Sequence, residues 1–104
     1  MRRNEIWWAD LPAPAGRRPV LLLSRSEAYT IRRKVVVAEV TTKMRGVPTE
    51  VKIGPREGLP RTCVVTLDNL VTIPKEWLRE RAGSLGGPKV ALVDEALRFA
   101  LELP

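Results

Sequence analysis

With 104 residues, the chain suits one domain spanning 1–104 and leaves little room for a second. It has no histidine and a single cysteine, Cys63. That excludes a Ser-His-Asp triad, a histidine acid–base pair, a His-ligated metal, a cysteine-rich zinc site and an intrachain disulfide. A net charge of +6 points instead to an anionic partner such as nucleic acid. The excess is uneven: residues 1–34 hold eight Arg and Lys against three Asp and Glu, whereas residues 35–104 hold ten against nine.

Glu5-Ile6-Trp7-Trp8-Ala9-Asp10 has strand composition. Its adjacent tryptophans then point to opposite faces, one into the core and the other to a base or a subunit contact. Leu11-Pro12-Ala13-Pro14-Ala15-Gly16 is a proline-rich loop. Pro19 disfavours helix at Arg18, so the chain enters the apolar run from Val20 to Ser24 extended, a second strand with Arg17 and Arg18 at its mouth. Arg25 to Thr30 is polar and reads as a turn. Lys34 to Val40, heavy in β-branched residues, is a third strand with Thr41 and Thr42 at its end. Met44 to Pro48 reads as a turn, and Thr49 to Ile53 alternates with period two as a half-exposed strand does. Gly54 to Pro60 is a loop. Thr62 to Leu67 is a further strand, which places Cys63 in the core, and Leu70 to Ile73 is a short last one.

Pro74 to Arg81 can begin as a helix, with proline at its first position, and stop at Gly83; Trp77 on it is a packing residue. After Gly86-Gly87-Pro88 a second helix runs to about Leu103, with Val93, Ala96, Leu97, Ala100 and Leu101 at helical spacing. The order predicts a mainly β protein with a C-terminal helix, its short antiparallel strands curled into a small barrel. No stretch approaches the ~20 apolar residues that span a bilayer. Met1-Arg2-Arg3 is not followed by an apolar segment of the signal-peptide kind, so a soluble cytoplasmic protein without a membrane partner is expected.

Arginines at a strand mouth are either solvated charges or a grip for a planar anion, because the guanidinium fork is rigid and permanently charged. The neighbouring motifs are specific. Glu5-Ile6-Trp7-Trp8-Ala9-Asp10, Arg18-Pro19-Val20-Leu21, Val40-Thr41-Thr42 with Gly46-Val47-Pro48, and Val64-Val65-Thr66-Leu67-Asp68-Asn69-Leu70 followed by Thr72-Ile73-Pro74 occur in that order across most of the chain. Together they resemble the MazF/PemK family of type II toxin endoribonucleases. The resemblance implies an SH3-like barrel with a C-terminal helix (the MazF/Kid/CcdB-like toxin fold), assembled as a homodimer. It also implies metal-independent cleavage of single-stranded RNA with no cofactor, and an acidic, MazE-like antitoxin that covers the RNA groove.

Two residues carry over as the catalytic pair: Arg18, just before the Pro-Val strand, and Thr41, at the end of the third strand. The chemistry agrees. When a ribose 2′-hydroxyl attacks the neighbouring phosphorus, charge grows on the phosphoryl oxygens, where a fixed guanidinium stabilises it and a hydroxyl holds the phosphate in line. Arg17, Thr42, Arg45, Asp68 and Asn69 are the expected RNA contacts; Asp68 and Asn69 equally suit an ordinary turn. The general base is left open, with Asp68 as one candidate. The chain departs from its relatives in a short first loop, in the absence of the histidine that some carry in that early loop, and in Thr66 where some place a second arginine. Two other readings are a non-catalytic nucleic-acid or antitoxin-binding module and a gyrase-poisoning toxin of the same fold acting through its C-terminal helix. The latter ranks last because the tail offers no exposed aromatic anchor.

Overall fold

The computed structural model describes all residues, 1–104. Six strands form one antiparallel sheet: β1 (Glu5–Asp10), β2 (Arg17–Leu22), β3 (Lys34–Thr41), β4 (Glu50–Ile53), β5 (Cys63–Pro74) and β6 (Leu78–Ser84), in the spatial order β4-β5-β3-β2-β1-β6. A four-residue helix α1 (Ala28–Ile31) lies within the segment expected to be a turn, and α2 (Gly87–Leu101) ends the chain. The proline-rich loop closes β1 onto β2 through the Leu11 N–H on the Gly16 carbonyl, 3.0 Å, with Gly16 at φ +64°.

The sheet is apolar on both faces, and strand alternation sorts the side chains. Leu21, Ala38, Val40, Val65 and Leu67 join α2 residues Val93 and Ala96 in a cluster of 14 buried residues. Their sequence neighbours Val20, Leu22, Val35 and Val37 point the other way, into a cluster of 8 with Tyr29 of α1. Trp8 packs against the first cluster and Trp7 against the second, as their adjacency requires.

Three expectations need correction. Pro74–Arg81 is not a helix: a single 3₁₀ turn (Lys75–Trp77) leads directly into β6, which pairs with β1. An eight-residue helix has little stability of its own. The strand instead covers the open edge of β1, buries Leu78 and aligns Arg81 with Glu5 (3.3 Å) and Arg79 with Asp10 (3.4 Å). Trp77 remains a packing residue, against the second cluster. Next, the two strands expected over 62–73 are one. Ala38 faces Leu70 but Glu39 faces Thr66, so Leu67, Asp68 and Asn69 are extra residues in a bulge of β5. Finally, α2 does expose an aromatic side chain: Phe99 is 64 % exposed, with Leu92 and Leu101 also outward, which removes the ground for ranking the helix-mediated reading last.

The mainly β architecture with a C-terminal helix is as expected, but the curled sheet is not hydrogen-bonded into a closed barrel; β4 and β6 are its free edges. The gap between them is sealed by backbone lying on backbone. A Cβ on Gly58 would stand 2.0 Å from the Ala82 carbonyl oxygen, and one on Gly83 would stand 2.1 Å from that of Glu57. Only two glycines can meet this closely, and Gly58 also sits at φ +92°.

Candidate active site

The β2–β3 ladder ends at Val20 opposite Glu39, and the same register carried two residues beyond it sets Arg18 across from Thr41. Alternation then sets Arg18 on the face of Val20 and Leu22, and sets Glu39 and Thr41 on the face of Val35 and Val37. One sheet face is therefore core at one end of these strands and polar at the other.

Arg18 and Thr41 stand between two cavities and line both. The first, about 290 Å³, is bounded by Trp8, Thr42, Leu59, Pro60, Arg61 and Cys63 among others. Its only charged groups are the guanidiniums of Arg18 and Arg61. The second, about 210 Å³, sets Arg18, Lys43 and Arg45 against Glu39, Glu50 and Asp68, with Asn69 and Thr66 beside them.

Local hydrogen bonds position these groups. The Arg18 Nε–H donates to the Ala15 carbonyl at 3.3 Å, so the short first loop holds the guanidinium. Thr41 Oγ1 accepts the Lys43 N–H at 3.2 Å, which leaves the hydroxyl proton to donate outward. The Glu50 carboxylate accepts the N–H groups of Arg45 (3.0 and 3.1 Å) and Gly46 (2.9 Å), fixing the turn that carries Arg45. Within the bulge, Asp68 Oδ2 accepts the hydroxyl of buried Thr49 at 2.6 Å. The Cys63 thiol is pushed up from its ordinary pKa by burial, as befits a packing residue rather than a nucleophile.

Six of the seven residues singled out from the sequence thus meet: Arg18 and Thr41 at the centre, Thr42 on one side, and Arg45, Asp68 and Asn69 on the other. Arg17 lines neither cavity. It points to the face opposite Arg18, that of Pro19 and Trp8 beside the first cavity, pairing with Glu80 at 3.1 Å and lying 5.1 Å from the Trp8 ring centroid. The early basic excess also divides, because Arg33, Lys34 and Lys75 gather at the far end of β3 from Thr41. Sequence reasoning missed Glu39, Lys43, Thr49, Glu50 and Arg61. For Glu39 a signal existed: it precedes Thr41 by two residues in a strand and must share its face.

No group of three or more His, Cys, Asp or Glu side chains converges to hold a metal ion. No helix is long and apolar enough to cross a membrane.

An open antiparallel sheet whose adjoining strand ends bring an arginine and a threonine to a cleft defines a small, mainly β protein with a C-terminal helix. The model of the PemK-like, MazF-like toxins of type II toxin–antitoxin systems matches residues 2–101, and the chain belongs to that family. It is 36 % identical over 101 residues to probable endoribonuclease MazF5 of Mycobacterium tuberculosis, covering 96 % of this chain and 92 % of that one. The solved toxin MazF-mt6 of the same organism superposes with a TM-score of 0.89 at 35 % identity, covering 96 % of this chain and 98 % of that one. A mycobacterial endoribonuclease solved in complex with its cognate antitoxin gives a TM-score of 0.90 at 31 % identity, over 100 % and 97 % of the two chains.

Proposed function

We propose that the protein is the toxin of a type II toxin–antitoxin pair, an endoribonuclease that cuts single-stranded RNA at short sequences without a metal. One observation carries this reading: Arg18 and Thr41, from different strands, line both cavities, so a phosphate resting on them has room for a nucleotide on either side. Arg18 binds the scissile phosphate and stabilises the charge that develops on its oxygens. Thr41, whose hydroxyl proton is free because Oγ1 only accepts from the Lys43 N–H, donates to the same phosphate and holds it in line. Thr42 and Arg61 on one side, and Arg45 and Asn69 on the other, contact the flanking nucleotides. The mycobacterial relative solved with its cognate antitoxin supports an antitoxin partner, and the net charge of +6 favours an acidic segment as the inhibitor. The exposed Leu92, Phe99 and Leu101 of α2 offer apolar surface for a homodimer.

The test is primer-extension mapping of cuts in a long unstructured RNA with EDTA present, comparing the natural protein with Arg18→Ala. Cuts at a recurring short sequence that fall by about 10²–10³-fold in the variant support the assignment, that being the usual effect of removing one charge-stabilising donor. RNA that is bound but left intact by the natural protein would favour a binding module.

A further inference from the structure

We infer that Glu39 is the general base that activates the ribose 2′-hydroxyl, an assignment resting on the reading of Arg18 and Thr41 as the phosphate site. The cleavage needs a group that can accept a proton. The chain has no histidine and threonine is a poor base, while carboxylates line the cavity that Arg18 and Thr41 share, so a carboxylate is the acceptor at hand. Three carboxylates line the cavity with Arg18 and Thr41. Asp68 is bonded to Thr49, and Glu50 is held by the N–H groups of the Arg45–Gly46 turn. The Glu39 carboxylate alone carries neither hydrogen bond nor ion pair, and it is half-buried.

Its mount is also the stiffest available. Glu39 lies on β3, which is paired on both sides, opposite Val20 of β2 and Thr66 of β5. The Thr66 hydroxyl donates to its carbonyl at 3.1 Å, just where the β5 bulge begins. It precedes Thr41 by two positions, so both side chains rise from one face beside Arg18. Asp68, the candidate considered from the sequence, sits in the bulge and is occupied.

In the step, the Glu39 carboxylate removes the 2′-hydroxyl proton as O2′ bonds to phosphorus. The P–O5′ bond breaks with its electron pair remaining on O5′, which takes a proton from solvent. The products are a 2′,3′-cyclic phosphate and a free 5′-hydroxyl, and Glu39 returns its proton to solvent. No electron acceptor and no water molecule is consumed.

The experiment measures single-turnover cleavage of a short RNA containing the mapped site, and binding of the same RNA with a 2′-deoxy sugar at that site. Natural protein, Glu39→Gln, Glu39→Ala and Arg18→Ala are compared. Glu39→Gln should slow cleavage by about 10²–10⁴-fold, the range of general-base catalysis, with unchanged affinity for the deoxy analogue. Formate should restore part of the lost rate to Glu39→Ala and none to Arg18→Ala, a rescue that a merely structural role would not produce. Glu39→Gln cutting at the natural rate while Arg18→Ala is inactive would overturn the base assignment alone. Arg18→Ala cutting at the natural rate would overturn the site reading beneath it. A loss of analogue binding that matches the loss of rate, or no response to formate in a folded Glu39→Ala, would make Glu39 a binding or packing residue and overturn the inference.

Discussion

Alanine placed at Gly58, Gly83 and Gly46 separates two costs that usually arrive together. Gly46 sits at φ +72° with nothing within 4 Å of a built Cβ, so Gly46→Ala carries only the left-handed backbone penalty, about 1–2 kcal/mol. Gly83 has no such dihedral, but its Cβ would lie 2.1 Å from the Glu57 oxygen and 2.8 Å from the Glu57 carbonyl carbon. Neither atom belongs to a flexible side chain, so Gly83→Ala must push the seam apart at about 1–3 kcal/mol. Gly58 combines φ +92° with a 2.0 Å approach to Ala82, and its two penalties together come to about 2–5 kcal/mol. For a domain of this size each kcal/mol lowers the midpoint by about 4–8 °C. Thermal unfolding followed by circular dichroism should therefore rank Gly58→Ala as the least stable, with a midpoint about 8 °C or more below that of the natural protein. The seam also carries Leu59, Pro60 and Arg61 of the first cavity, so Gly83→Ala should weaken RNA binding as well as stability. Gly58→Ala and Gly83→Ala no less stable than Gly46→Ala would refute a seam held by backbone contact.

Two further outcomes follow from single groups. Burial pushes the Tyr29 phenol up to about 12. The unfolded chain, with a pKa near 10, ionises first, so the stability present below pH 10 is lost as pH rises towards 12. Tyr29→Phe should flatten that fall in melting temperature, and an unchanged alkaline slope would contradict it. Thr49→Val removes the 2.6 Å donor to Asp68 from a buried position while keeping its shape, and should cost about 1–3 kcal/mol in urea unfolding. Because it frees the bulge, the sequence preference of cleavage should shift with it, and preference left identical would show that the bond does not set the bulge.

Much of this was legible because local signals and tertiary demands agreed. β-branched density marked β3, the Pro and Gly content of residues 11–16 marked the first loop, and three- and four-residue spacing marked α2. The failures have particular causes. Pro74-Lys75-Glu76-Trp77 begins like a helix, and nothing nearby in sequence reveals that β1 has an unfilled edge waiting for residues 78–84. The Asp68-Asn69 break was visible, but a turn and a bulge look alike until the partner strand shows that Ala38 and Glu39 run on uninterrupted. Arg18 and Thr41 could be named singly, yet their meeting depends on β2–β3 register. Arg17 and Arg18 look equivalent in the chain, and it is alternation that sends them to opposite faces, Arg17 onto Trp8 and Glu80. Glu39 was overlooked because a single charge in an apolar strand resembles an ordinary solvated residue.

The bulge in β5 has a consequence for how such a protein can change its taste in RNA. In a regular ladder, adding or removing one residue would turn every later side chain to the wrong face. Here the pairing already skips Leu67 to Asn69, and the ladder resumes at Leu70 whatever lies outside it. Asp68 and Asn69 stand at the rim of the cleft yet outside the register that builds it. Their number and kind can vary while Arg18, Glu39 and Thr41 stay where they are, so on the function proposed above the part that reads and the part that cuts are mechanically independent.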